Sequence, residues 1–215
     1  MPSDRGELLS VVDQMGRPAN AAPRDVVHRD GLWHESFHCL LIRGGSPSTV
    51  LLQRRRRDAA AFGGLLDLTV TGHLRAGEQP SDGVREVREE LGLDVDPDRL
   101  VPLGRRTIID DGGEGINREW AHVFLLVENR PLHEFHVDDV DDADIDGLVE
   151  VSIDDALGLL ASPARPCVAR ELRRDGTLHE VRIEPGELVP QLDGYWTVLM
   201  VMAERHLAGL TPIAI

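Results

Sequence analysis

Not one lysine occurs among the 215 residues of this chain, and all 23 basic residues are arginine. Schiff-base chemistry, which needs a lysine amine, is therefore excluded. Cysteine is nearly as scarce. Cys39 and Cys167 stand far apart without metal-type spacing, so neither a disulfide framework nor a zinc finger is expected, and the default setting is a reducing cytoplasm. No apolar stretch approaches the roughly 18 residues of a membrane-spanning helix. The opening Met-Pro-Ser-Asp-Arg-Gly-Glu has no signal-peptide-like apolar core. Positive charge is in deficit, with a net charge of −15, which argues against general nucleic-acid or anionic-membrane binding. Four phenylalanines, three tryptophans and one tyrosine leave few surfaces for stacking a base, of which Trp33, Trp120, Phe37 and Phe62 are the first candidates.

What is present is globular: 41% hydrophobic and 28% charged residues, in a length that suits one domain with additions. Residues 1–30 are polar and read as an N-terminal extension packing on a domain over 31–165. Strands are expected over residues 37–43, 49–54, 66–70, 100–109 and 119–127, with a loop at 110–115. Helices are expected over roughly 82–91 and 153–160. In the tail, 166–215, two strands flank Asp175-Gly176, a two-residue hairpin signal, and a last helix over about 195–207 puts Trp196, Leu199 and Met202 at core-facing spacing. The tail is either part of the same domain or a homodimer contact. Strands gathered around helices without strict βαβ alternation imply an α+β fold.

The densest signal lies in residues 72–93, where a glycine-rich turn enters a short helix ending at Gly92. Glu86, Glu89 and Glu90 stand at i, i+3 and i+4, so their carboxylates share one helical face and repel one another. A hard divalent cation relieves that repulsion, because Mg²⁺ takes oxygen ligands and completes its shell with water and substrate phosphate. An isolated Glu-x-x-Glu-Glu is ordinarily a solvated helix face. Here the flanking glycines, Glu78 and Arg85 point to a site.

This stretch resembles the Nudix box, Gly-x5-Glu-x7-Arg-Glu-U-x-Glu-Glu-x-Gly-U, with U a bulky aliphatic residue. Gly72, Glu78, Arg85, Glu86, Val87, Glu89, Glu90, Gly92 and Leu93 fill its positions. Six residues, not seven, separate Glu78 from Arg85. The missing residue falls where the loop enters the helix, so the carboxylates keep their mutual phase. The resemblance implies an α+β Nudix fold, a mixed sheet between helices, and hydrolysis of a diphosphate linkage in a small molecule with Mg²⁺ or Mn²⁺. It also implies that Glu86, Glu89 and Glu90 bind the metal. Glu86, Glu89 and Arg85 form the catalytic group, Glu86 being ligand or base and Arg85 an organiser paired with Glu78. Gln53-Arg54-Arg55 matches a strand end that flanks the site in the family, so Arg54 and Arg55 are candidate phosphate contacts, beside Gly72, His73 and Glu119 as further substrate-binding candidates.

A second resemblance is to the branch of that superfamily containing isopentenyl-diphosphate isomerase. His28, His34, His73 and Glu119 match its metal-site pattern, but Thr71 stands where the isomerase has a cysteine and Asn117 where it has a glutamate. Threonine cannot replace a thiol in proton transfer at carbon. The expected chemistry is therefore hydrolysis on an isomerase-like frame, with an isomerase and a non-catalytic diphosphate-binding module as the rivals. Residues 142–147 imitate the start of a calcium loop but put Ile153 at the twelfth position, where a bidentate carboxylate belongs. That segment reads as a solvated acidic loop that could lend a carboxylate to the site. No motif identifies the substrate.

Overall fold

Residues 37–42, His38 apart, and 50–52 are apolar on both sides of the pleat, the pattern of strands covered on both faces. In the computed structural model, which describes residues 6–59, 61–110, 116–135, 137, 145–191 and 193–215, they form the middle of one sheet. These central strands are β3 (Trp33–Arg43) and β4 (Thr49–Arg55). Around them lie β5 (Leu66–Leu68), β6 (Val70–His73), β7 (Val101–Asp110), β8 (Asn117–Val127), β9 (Ile145–Ser152), β10 (Cys167–Arg173) and β11 (Leu178–Ile183). The order is β11-β10-β9-β4-β3-β8-β7, with β5 on β4 and β6 on β3. β3 and β8 run parallel while the other pairs are antiparallel, so the sheet is mixed.

Alternation along β3 sends neighbours to opposite faces. Leu40 and Ile42 pack beneath α3 (Ile153–Leu160) and α4 (Tyr195–Leu207), while Phe37, Cys39 and Leu41 pack beneath Val87 and Leu91 of α2 (Arg85–Leu91). Helices thus cover both faces. The hairpin of β10 and β11 turns at Gly176, where φ is +77°, and β10 continues the main sheet along β9. Helix α4 buries Tyr195, Trp196, Leu199, Met200 and Ala203.

Two departures from the sequence reading bear on function. Strand β3 begins at Trp33, four residues before its apolar run, so that it carries His34 and Ser36. Within the polar extension, β1 (Leu8–Leu9), β2 (Ala22–Pro23) and α1 (Arg24–Asp30) are ordered by burial of Leu9 and Val27. Residues 8–10 hydrogen-bond along 74–76, joining the extension to the loop after β6. Among the described residues, no helix is long and apolar enough to cross a membrane.

Candidate active site

Strand β6 delivers the chain to Gly72 against the side chain of Glu86. A Cβ at Gly72 would lie 2.1 Å from Glu86 Cδ, so only glycine leaves room for the carboxylate. The expected helix over 82–91 is divided: a 3₁₀ turn covers Pro80–Val84 and the α-helix starts at Arg85. A 3₁₀ turn rises about 2.0 Å per residue against about 1.5 Å in an α-helix. Its five residues therefore span roughly what six or seven α-helical residues would. Gly83 within the turn sits against Phe37, where a Cβ would be 2.5 Å from the ring. A seven-residue helix is unstable alone. Buried Val87 and Leu91 hold it to the sheet, and Gly92, at φ +65°, caps it.

Arg85 uses all five of its donors. Nε and Nη2 reach Glu78 at 2.7 and 3.2 Å, Nη2 also donates to the His73 carbonyl at 2.8 Å, and Nη1 donates to Glu86 at 2.6 Å and Glu89 at 2.9 Å. Burial opposes the charge, but Glu78, Glu86 and Glu89 outweigh it and raise the guanidinium above its ordinary value. This is the pairing expected from the sequence, with the loop carbonyl added. Arg75 extends the network, donating from its side chain to Glu7 at 2.7 Å and Glu89 at 3.4 Å, and from its backbone to Glu78 at 2.7 Å.

The carboxylates remain strained electrostatically. Burial, then the Glu89 charge, pushes Glu86 up to about 7 despite Arg85. Burial and Glu86 raise Glu90 well above the carboxylate range, against a hydrogen bond from the Thr71 amide. Glu90 Oε2 is enclosed without any hydrogen-bond partner. The partnerless Glu90 oxygen, in an all-oxygen donor set beside a Cβ-free gap, fits a hard divalent ion. Asp67 and Arg55 also act on Glu90, and they pair with each other at 3.1 Å.

A second cluster forms where α1, β3 and β6 meet. His28, His34 and His73 each offer a ring nitrogen, all within 4.8 Å of one another. The Leu32 carbonyl lies 3.0 Å from His34 Nδ1 and so takes that N–H, which leaves Nε2 a lone pair; Nε2 is buried and has no partner. Burial and His34 depress His73 well below the ordinary imidazole value, keeping it neutral and able to ligate. Glu119 stands opposite His34 in the parallel register. Burial opposes its charge, yet the neighbouring His38 holds it well below the usual carboxylate range. Ser36 and Asn117 each donate to it at 2.7 Å. The three imidazoles form a donor set for a borderline transition-metal ion such as Zn²⁺ or Co²⁺, with the Glu119 carboxylate beside them.

Gly72, His73, Glu78, Arg85, Glu86, Glu89, Glu90 and Glu119 therefore gather around β6 and the head of α2. Arg55 lies beside Asp67 and Glu90, whereas Arg54 turns away to Glu171 and Glu187 of the tail and to the Gly64 carbonyl. Phe37 is fully buried against Phe124 and offers no stacking face, while Phe62 is half-buried at φ +53°. Trp33 and Trp120 form a half-buried pair 6.3 Å apart, with Arg105 over Trp120. The calcium-loop imitation at 142–147 and the loop at 111–115 lie largely outside the described residues. Sequence reasoning missed Glu7, Asp67, Arg75 and His38. Only Arg75, inside the box, carried a local signal.

The family model described as the NUDIX domain matches residues 32–173. An uncharacterized Nudix hydrolase of Clostridium acetobutylicum is 27% identical over 202 residues, which cover 90% of this chain and 95% of that protein. Another, from Rhodococcus erythropolis, is 38% identical over 58% of this chain and 67% of its own length. An isopentenyl-diphosphate Δ-isomerase of Mycolicibacterium vanbaalenii is 37% identical over 46% of this chain and 55% of that enzyme. A solved structure from Deinococcus radiodurans superposes on 74% of this chain and 91% of its own with a TM-score of 0.54 at 18% identity, a likeness of fold.

Proposed function

Starting from the chain's membership of the Nudix family, in the branch similar to type I isopentenyl-diphosphate isomerase but with a hydrolase-type box, we propose that it hydrolyses a diphosphate linkage. The substrate is a nucleoside diphosphate derivative or a related organic diphosphate, with Mg²⁺ or Mn²⁺ as cofactor. The supporting observation is the partnerless Glu90 oxygen beside Glu86, on a helix face opened by Gly72. Bound there, the divalent ion neutralises diphosphate oxygens and acidifies a water.

Glu86, Glu89 and Glu90 hold that ion. Glu86 is also the candidate to accept a proton from an attacking water. Arg85 fixes loop to helix, and its contacts with Glu86 and Glu89 offset part of their mutual repulsion. Besides Arg85, the guanidinium groups of Arg55 and Arg75 act on the carboxylates and are the candidates for phosphate contact. Thr71 offers no thiol for carbon proton transfer, which sets hydrolysis above isomerisation. The histidine cluster is proposed as a second cation site, on the strength of the orphaned His34 Nε2.

A panel of diphosphate compounds, screened for phosphate or monophosphate release with Mg²⁺ and Mn²⁺, tests this reading. Turnover that disappears in Glu89→Gln/Glu90→Gln supports it. Turnover unchanged in that variant, or allylic product formed from isopentenyl diphosphate, refutes it. Saturable binding of a panel compound without product points instead to a binding module.

A further inference from the structure

We propose that Tyr195, acting through His38, is a positioning residue that aims the Glu119 carboxylate at the three-histidine cluster. The proposal rests on reading that cluster as a cation site. Tyr195 is the only tyrosine in the chain and opens α4, in the tail beyond the sheet's last hairpin. Its hydroxyl lies 3.0 Å from His38 Nδ1, and His38 Nε2 lies 3.6 Å from Glu119 Oε2. All three side chains are buried.

Glu119 accepts from Ser36 and Asn117 on its two oxygens, and the His38 ring turns Nε2 toward Oε2. The Tyr195 hydroxyl at Nδ1 fixes the rotation of that ring, whichever of the two groups carries the proton between them. Without the hydroxyl the ring is free to turn Nε2 away, and the carboxylate loses its support on that side.

Tyr195 is itself fixed from two sides. Arg106 covers its ring at 3.8 Å from the centroid, and Asp193 accepts from both Arg106 Nη2, at 2.9 Å, and the Tyr195 amide, at 3.1 Å. Residues 193–195 are thus tied to Arg106 of β7 at the start of α4. Partners of this outer kind commonly govern metal affinity by about 10–100-fold.

The test titrates the whole chain with Co²⁺, following ligand-field absorption and the binding isotherm, with the His34→Ala variant defining the cluster's share of binding. Tyr195→Phe and His38→Leu are expected to weaken that share about tenfold or more. His38→Gln, whose amide keeps an N–H toward Glu119, should bind within a few-fold of wild type. Unfolding temperatures of the metal-free variants are measured alongside. A purely structural role would lower those temperatures and leave Co²⁺ affinity unchanged, and that result overturns the proposal. Wild-type binding that His34→Ala does not reduce overturns the cluster reading first, and this proposal with it.

Discussion

The carboxylate site and the histidine cluster meet at β6 yet are built in opposite ways. The first comes from a single run of 22 residues, Gly72 through Leu93, whose spacing alone sets three carboxylates on one face. The second draws single residues from α1, β3, β6 and β8 and exists only once the sheet has formed. A local site states its chemistry in its spacing, and a residue lost before the helix leaves the phase of the three carboxylates unchanged. A distributed site has no such slack: His34, His73 and Glu119 are set by strand register and His28 by the packing of α1, and its order depends on supports such as Tyr195.

This contrast is broken most severely by removing the local site's charge. Glu86→Gln/Glu89→Gln is expected to lower kcat by roughly 1,000-fold or more, about 4 kcal/mol of transition-state stabilisation, while Co²⁺ binding attributable to His34 persists. Steady-state kinetics beside a Co²⁺ titration checks both halves. Next comes Arg85→Lys. Three donors on a compact ammonium cannot replace five on a planar fork, so turnover should fall by about 10–100-fold with the fold retained by circular dichroism.

Gly83→Ala forces a Cβ to 2.5 Å from the Phe37 side chain. Overpacking of this kind costs about 1–3 kcal/mol and should appear in denaturant unfolding as a lower midpoint. Because Gly83 belongs to the turn that feeds α2, activity should suffer more than Co²⁺ binding at the histidines.

The mildest effect is that of pH. Glu86 is raised from 4.5 to about 7 in the folded chain. Between those values the folded state retains a proton that the unfolded chain has released. Its contribution to metal-free stability is therefore complete below 4.5 and lost as pH rises through 7. Cation binding needs the ionised form and runs the other way. Apparent Mg²⁺ affinity should climb between pH 5.5 and pH 7, by up to about tenfold per unit for each displaced proton, with Glu90 adding to the slope because it is raised as well. Calorimetry across that range, repeated on Glu86→Gln, separates this group from the rest.

What the sequence made legible follows the same division. The Arg85–Glu78 pair, the Gly92 cap, the Asp175-Gly176 hairpin and the carboxylate face all depend on contacts within a few residues, and all are present. Helix α1 was not legible because its order comes from burying Val27 rather than from any period of its own. Arg54 looked like a phosphate contact, but its partners Glu171 and Glu187 lie more than a hundred residues away. His38 and Tyr195 are 157 positions apart and meet only because α4 packs on the same sheet face. The histidines were read through family resemblance, and the reason His34 can ligate, the Leu32 carbonyl on its other nitrogen, is a matter of geometry alone.

The most direct measurement is the anomalous difference density of a crystal soaked in Mn²⁺. The account predicts a peak bounded by Glu86, Glu89 and Glu90, with oxygens about 2.0–2.3 Å from the ion and the Arg85 contacts to Glu86 and Glu89 loosened. A map with density only among His28, His34 and His73, and the three glutamates still held by Arg85 and Arg75, would contradict it.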